Sequence, residues 1–246
     1  MNVKNMLWVI TLSVVANGLS AILLSFNQES NKIALITVVI ASLMGVLLGY
    51  LLFRIHVLRS LGIRNWEKTL SQGTTTKKCI AKSHTSLNFL GIASTKWLKE
   101  EREFRKMLIR HANTGGRARF LLMQPYGEAC IEFEKIKNVP EGSISQSIIK
   151  NIDALLDYKS EGYNVEVKLY DRKPHFRLTM VDTNFATVGI YSYSTHSGQN
   201  SPQIILGQAP QEWSFYFAFS SYYERLWEDA KNAKTHIARL RRQSKK

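Results

Sequence analysis

The longest apolar runs of the chain lie within its first fifty-odd residues. No charged residue occurs from Met6 to Phe26 or from Ile33 to Phe53. An α-helix rises about 1.5 Å per residue, so either run could cross a hydrocarbon core of about 30 Å. The pattern therefore predicts a hairpin of two transmembrane helices over residues 1–55. A cleaved signal peptide is the alternative for the first run, but that run lacks a short apolar core ending at a small-residue cleavage site.

Basic residues on the two sides of these runs predict the orientation of the hairpin. Lys4 precedes the first run, whereas the connection NQESNK carries one acid and one base. The second run is followed by four bases, Arg54, Arg59, Arg64 and Lys68. By the positive-inside rule, both termini lie in the cytoplasm, and we expect a multi-pass protein of a bacterial inner membrane.

Small residues recur every four positions in the second run, at Ala41, Gly45 and Gly49, and the first run contains Asn17. Such residues allow close contact between helices in lipid. They could pack the two helices of one hairpin together, or they could join separate chains into a homo-oligomer. Neither run contains an ionisable residue, which argues against an ion or proton relay within the membrane.

The rest of the chain alternates between strand and helix patterns. Residues 56–79 read as a basic juxtamembrane linker, residues 80–233 as one domain, and residues 234–246 as a basic tail. Within the domain, strands are predicted at residues 86–93, 118–125, 164–171, 174–182, 185–194 and 202–208, and helices at residues 95–113, 143–164 and 214–235. This order predicts an α/β fold, with layers of helices around a mixed sheet whose first strands are parallel and whose last strands are antiparallel.

One polar cluster interrupts the predicted strands. The stretch KPHFRLTMVD places His175, Arg177 and Asp182 at the spacing His-x-Arg-x-x-x-x-Asp. Together with the element order, this motif resembles one half of the phospholipase D superfamily, whose signature is His-x-Lys-x-x-x-x-Asp. The resemblance implies a phospholipase D-like domain in which the histidine attacks phosphorus, a carboxylate orients the imidazole and cations bind the phosphoryl oxygens.

The chain departs from that family pattern in three ways. It carries one motif where family active sites use two, and Arg177 replaces the lysine. Gly189-Ile190-Tyr191-Ser192 stands where the family often has Gly-Ser-x-Asn. These changes favour a degenerate, non-catalytic site, and the alternative is a homodimer that pairs two copies of His175. Asp182 could instead begin an Asp-Thr-Asn turn.

The other ionisable side chains carry little functional signal. His84, His111 and His196 are read as a turn residue and two solvated residues. Cys79 and Cys130 would lie in a reducing compartment, and no CxxC pair or neighbouring histidine predicts a disulfide or a zinc site. We therefore expect neither a metal nor a cofactor.

The net charge of +14 points to an anionic partner. The tail contributes Arg239, Arg241, Arg242, Lys245 and Lys246 with no acid between them. Inner-membrane lipid is the favoured partner, and nucleic acid or a nucleoprotein of the reverse-transcriptase type is the second.

The layout of two spans joined to a cytoplasmic domain resembles the membrane effectors of bacterial antiphage systems, such as retron and cyclic-nucleotide-triggered effectors. The resemblance implies an effector whose domain senses or docks on a partner while the hairpin perturbs the inner membrane. The alternative is an active, membrane-tethered phosphodiesterase, either a phospholipase or a nuclease, that works as a homodimer through His175.

Overall fold

A computed structural model describes residues 31–68, 75–191, 201–208 and 212–243 of the chain. The described chain divides after Ser60 into two units. The first unit contains helix α1, Asn31–Ser60, of which Val39–Ser60 is long and apolar enough to cross a membrane. The segment Met6–Phe26 and Asn17 lie outside the described residues, so the two-helix hairpin stays a prediction.

Helix α1 carries the three small residues predicted to pack against another helix. Ala41, Gly45 and Gly49 all lie within it, and a Cβ atom added at Gly45 would meet no atom within 4 Å. The side chains of Leu43 and Met44 are exposed by 65% and 61%. Within the described residues, this helix is therefore not the buried core helix of a folded unit.

The second unit begins at Leu61 and is built on one eight-stranded sheet. Its strands are β1 Ile63–Glu67, β2 Ser86–Gly91, β3 Arg117–Met123, β4 Val165–Tyr170, β5 Phe176–Val181, β6 Phe185–Ile190, β7 Gln203–Gly207 and β8 Lys231–Asn232, in the spatial order β1-β7-β6-β5-β2-β3-β4-β8. Strands β2, β3 and β4 are parallel, and the other neighbours are antiparallel. The predicted mixed α/β sheet is confirmed.

Seven helices of this unit are described. They are α2 Thr76–Lys82, α3 Thr95–Lys99, α4 Glu101–Asn113, α5 Glu128–Ile136, α6 Ser143–Ser160, α7 Phe215–Asp229 and α8 Ala233–Gln243. Local capping explains several helix starts: Ser214 accepts the N–H of Phe217 at 3.2 Å, and the buried Glu134 carboxylate accepts the N–H groups of Gly142, Ile144 and Ser145 at the start of α6.

The two faces of the sheet bury different side chains, because successive residues of a strand point to opposite sides. On one face, Phe89 and Phe120 pack edge-on against Trp97 of α3 and Phe104 of α4. On the other face, helix α7 covers β3. Its anchor is Arg119, whose guanidinium binds Glu224 and Asn88 and lies beside the rings of Tyr223 and Trp227.

The structure differs from the sequence prediction in the short elements. Strand β1 and helix α2 occupy the predicted linker, and α5 occupies a predicted loop. The helix expected over residues 95–113 breaks at Glu100, so that both Trp97 and Phe104 reach the core. The predicted basic tail is mostly helix α8, which buries Ala233 and Ile237. Strand β1 and helices α2, α5 and α8 lack the long hydrophobic repeat from which sequence reasoning predicts an element.

Candidate functional site

The predicted motif residues His175 and Arg177 lie at the beginning of β5, beside the carboxyl ends of the parallel strands. Strand β5 runs antiparallel to β2 with Leu178 opposite Leu90, so Arg177 lies near Gly91, where β2 ends. His175 is exposed, and its carbonyl oxygen accepts the N–H of Tyr191 at 3.1 Å. We call this end of the sheet the His175 edge.

Asp182, the third residue of the motif, lies at the other end of β5. It lies seven positions after His175 along an extended chain, a distance of roughly 20 Å. Its Oδ1 accepts the N–H groups of Thr85 at 2.8 Å and Ser86 at 2.9 Å, and the Thr85 hydroxyl at 3.0 Å. The structure therefore does not bring Asp182 to the imidazole as an orienting carboxylate. We call its end of the sheet the Asp182 edge.

The surroundings of Asp182 agree with the alternative reading, in which this residue begins the turn between β5 and β6. Its φ is 50°, and the turn runs from Asp182 to Asn184. Burial opposes ionisation of the carboxyl group, but the N–H groups of Thr85, Ser86 and His84 outweigh burial and hold the pKa of Asp182 below its usual value. This carboxylate joins the hairpin turn to the start of β2.

Arg177 lies across a glycine. Its cross-strand partner on β6 is Gly189, and a Cβ atom added at Gly189 would lie 2.7 Å from Arg177 Nη2. Gly189 is in turn opposite Gln203, whose amide donates a hydrogen bond to Glu67 on β1. In the sequence, Gly189 was notable only as the first residue of the stretch that replaces the family's Gly-Ser-x-Asn. In the structure, the absence of a side chain at Gly189 makes room for the guanidinium of Arg177.

A second cation, Lys96 in the first turn of α3, belongs to the same edge. Burial, followed by the charges of Arg177 and Lys99, lowers the pKa of Lys96 from 10.5 to about 8. Within the described part of the chain, neither Arg177 nor Lys96 forms an ion pair with a carboxylate. The charge of Arg177 thus acts on Lys96, and no carboxylate among the described residues neutralises either cation.

Two further side chains lie near this pair. The hydroxyl of Ser94, immediately before α3, is buried and has no hydrogen-bond partner among the described residues. Cys79 of α2 is buried, and burial raises the pKa of its thiol to about 12, against the opposing effect of Arg177. A thiol with so high a pKa stays protonated, so Cys79 packs as a small apolar residue and adds no negative charge to the edge.

The His175 edge can therefore bind an anion. A guanidinium offers a planar fork of donors to phosphoryl oxygens, and an ammonium offers a compact charge. The exposed imidazole of His175 could add a third donor from the same edge of the sheet. In the described ranges, no group of three or more His, Cys, Asp or Glu side chains is placed to hold a metal ion.

The other predicted site residues lie elsewhere. Arg239, Arg241 and Arg242 are exposed on α8, where Arg241 pairs with Asp153 at 2.6 Å. Lys245 and Lys246 lie outside the described residues, as does His196. The prediction that His111 is solvated is wrong, because its side chain is buried and bonded to Ser83 at 2.8 Å.

Comparison with known proteins adds a family. Residues 79–234 match the family model of a domain of unknown function, DUF5919. The chain belongs to the DUF5919 family. No curated protein sequence matches it.

Solved structures similar to this DUF5919 protein include members of the phospholipase D family. Nuc from Salmonella typhimurium is 12% identical with a TM-score of 0.38, over 63% of this chain and 86% of Nuc. TrmBL2, an archaeal chromatin protein, is 12% identical with a TM-score of 0.45, over 83% of this chain and 70% of TrmBL2. Phosphatidylserine synthase from Haemophilus influenzae is 12% identical with a TM-score of 0.44, over 69% of this chain and 39% of the synthase. At these scores, no function is transferred from the three proteins.

Sequence reasoning missed Lys96 and Ser94. Neither belongs to the His175 motif, and both lie about eighty residues before it in the chain. A usable signal was nevertheless present, because both residues follow the buried strand β2, and side chains just past the carboxyl ends of parallel strands converge on one edge of a sheet.

Proposed function

We propose that the DUF5919 domain of this protein binds a phosphoryl group at the His175 edge and serves as a sensing or docking domain. The observation that carries this proposal is the position of Arg177 over Gly189 at the end of the sheet where α3 brings Lys96, with no carboxylate among the described residues paired to either cation. The lowered pKa of Lys96 agrees with this arrangement. Two like charges in a partly desolvated site raise the free energy of the unliganded protein. A bound phosphoryl dianion would remove that cost and would gain charge-assisted hydrogen bonds.

A sensing function fits this edge better than turnover does. The carboxylate that would orient the attacking imidazole is Asp182, and it is bonded to the backbone of Thr85 and Ser86 instead. The chain also supplies one histidine motif, whereas displacement and protonation of a leaving group require two groups. The homodimeric phosphodiesterase is the competing proposal.

The binding proposal is tested with the full-length protein in dodecyl maltoside and inorganic phosphate as the probe. Isothermal titration calorimetry should show binding that Arg177→Gln and Lys96→Gln each weaken by roughly tenfold or more. Lys106→Gln is the matched control, because Lys106 is an exposed lysine whose ion pair within the described residues is with Glu103 of its own helix. Equal affinity in the wild type and in Arg177→Gln would contradict the proposal.

The competing proposal is tested on the same preparation with bis(4-nitrophenyl) phosphate as substrate. A sensing domain should bind phosphate and release no nitrophenol. Hydrolysis that His175→Ala abolishes, and that rises with protein concentration as a dimer forms, would establish the phosphodiesterase instead.

We further propose that the protein is a membrane-attached effector of an antiphage system. The support is helix α1, whose segment Val39–Ser60 is of spanning length and carries Arg54 and Arg59 near its C-terminal end, with Arg64 following it in sequence. If α1 perturbs the membrane by association, the double variant Gly45→Leu/Gly49→Leu should restore growth and membrane potential in cells that the wild type harms. The outcome against this proposal is rescue by His175→Ala with no rescue by the helix variant.

A further inference from the structure

We infer that the Asp182 edge holds a second binding site, which takes an organic phosphate. A cavity of about 600 Å³ opens there between β1, α2 and the turn that joins β5 to β6. Its polar lining consists of Arg64, Lys82, His84, Asp182 and Asn184, and its apolar lining includes Phe185 and Ile205. None of these residues belongs to the His175 edge.

Two cations in the lining indicate that the ligand of this cavity is an anion. Arg64 lies across Gly207, because a Cβ atom added there would overlap Arg64 Nε. The ammonium of Lys82 lies 4.4 Å from the centroid of the Phe185 ring. Over the described ranges, neither Arg64 nor Lys82 forms an ion pair with a carboxylate. Their charges are therefore available to a ligand.

Asp182, the one carboxylate in the lining, is already engaged. It accepts hydrogen bonds from the backbone N–H groups of His84, Thr85 and Ser86 and from the Thr85 hydroxyl. Those donors compensate its charge and direct it toward the start of β2. An anion in the cavity thus meets the charges of Arg64 and Lys82, the Asn184 amide and the exposed imidazole of His84.

The remaining walls indicate that the ligand has an apolar part. The half-buried Phe185 contributes apolar surface beside the cations, and the more deeply buried Val181, Ile205 and Leu206 complete the lining. A volume of about 600 Å³ lies within the range of small-molecule sites. A phosphoryl group attached to an apolar or aromatic body matches this lining, and its source could be a soluble nucleotide or a phospholipid headgroup.

Equilibrium dialysis of the full-length protein in dodecyl maltoside with radiolabelled AMP counts the sites. The wild type should bind two AMP per chain, and both Arg64→Gln/Lys82→Gln and Arg177→Gln/Lys96→Gln should bind one. Lys106→Gln should keep both. Loss of one AMP only in the first double variant would support this site while the proposed function fails. An unchanged count in Arg64→Gln/Lys82→Gln, or no AMP bound to the wild type, would overturn the inference.

Further variants separate binding from folding and identify the source of the phosphate. Lys82→Arg keeps the charge and should retain the second AMP, whereas Gly207→Ala displaces the guanidinium of Arg64 and should weaken that binding by roughly tenfold. Phosphatidylglycerol added to the micelles should displace one AMP if a lipid headgroup is the ligand, and none if the ligand is soluble. The charge-removing single variant Lys82→Gln is the reference. If Lys82→Arg loses the second AMP as completely as Lys82→Gln does, the site does not recognise charge.

Discussion

The two ends of the β5–β6 hairpin are built alike but differ in whether a carboxylate is present. At each end an arginine lies across a glycine, Arg177 over Gly189 and Arg64 over Gly207. The Asp182 edge also contains a carboxylate, which is fixed by backbone donors. At the His175 edge, Arg177 and Lys96 lack a carboxylate partner within the described residues. The comparison indicates that Asp182, one residue of the motif, stabilises the fold at one end of the strand. The other two motif residues, His175 and Arg177, are available for binding at the other end.

The structural character of the Asp182 edge extends into the segment before β2. Ser83 donates its hydroxyl to the carbonyl of Ser86, and its oxygen then accepts from His111 Nε2 at 2.8 Å. The carbonyl of His84 accepts the hydroxyl of Thr114, next to the end of α4. These bonds connect α4 to β2, whereas the Ser94 hydroxyl at the His175 edge has no hydrogen-bond partner among the described residues.

The largest effect should come from acid acting on the Asp182 edge through His111. Burial lowers the pKa of His111 from 6.5 to about 4, and its Nδ1 has no partner among the described residues. The unfolded state binds the proton more tightly, so stability is lost as pH falls from 6.5 toward 4. The loss should reach about 3 kcal/mol, or roughly 6 to 12 °C in Tm.

The measurement is Tm of the full-length protein in detergent across that pH range, compared with His111→Gln. At pH 6.5 the Tm of His111→Gln should be lower than that of the wild type, since the change disturbs the bond to Ser83. On acidification the Tm of the variant should fall by less than that of the wild type. Parallel pH curves for the two proteins would show that another group is responsible.

A smaller effect is expected from Asp182→Ala. Removing the carboxylate leaves the N–H groups of Thr85 and Ser86 without their acceptor, and partial solvent access limits the cost to about 2 kcal/mol. His175→Ala, at the exposed end of the same strand, should change Tm by less than about 2 °C. Thermal unfolding of the two variants side by side measures the contrast. Equal losses would remove the distinction between the two ends.

Sequence reasoning could predict the core strands and long helices because their apolar residues recur with clear periods. It could also place His175 and Arg177 on one strand, since the motif is local. It could not predict that Asp182 has a structural role of its own. The residues that Asp182 binds, Thr85 and Ser86, lie almost a hundred residues earlier in the chain. Lys96 was missed for the same reason: its role depends on how the strands are ordered.

Gly189→Ala should sharpen the comparison at the His175 edge. The new Cβ atom would meet Arg177 Nη2 at 2.7 Å, so the guanidinium must move away. Phosphate affinity should fall by roughly tenfold, with a stability change below about 1 kcal/mol because the arginine end is flexible. Calorimetry measures the phosphate affinity, and Tm measures the stability.

Gly115→Ala is the control. A Cβ atom at Gly115 meets no heavy atom within 4 Å, but the residue has a φ of +67°, so this change should affect only stability. Unchanged affinity in Gly189→Ala would mean that Arg177 does not bind from its position over the glycine.

The smallest expected effect is the response of the His175 edge to alkaline pH. The pKa of Lys96 is lowered from 10.5 to about 8 by burial and by Arg177, so below pH 8 the folded protein bears the full cost of the charged ammonium. Stability should therefore rise between about pH 8 and 10.5, by less than about 1 kcal/mol because the side chain is only half-buried and solvent screens part of the charge. Phosphate affinity should change in the opposite direction, since the neutral amine no longer attracts the anion. Tm and phosphate Kd across this range, each taken as the difference between the wild type and Lys96→Gln, isolate Lys96 from other titrating groups. If affinity and stability instead rise together above pH 8, the charge of Lys96 is not what binds the phosphoryl group.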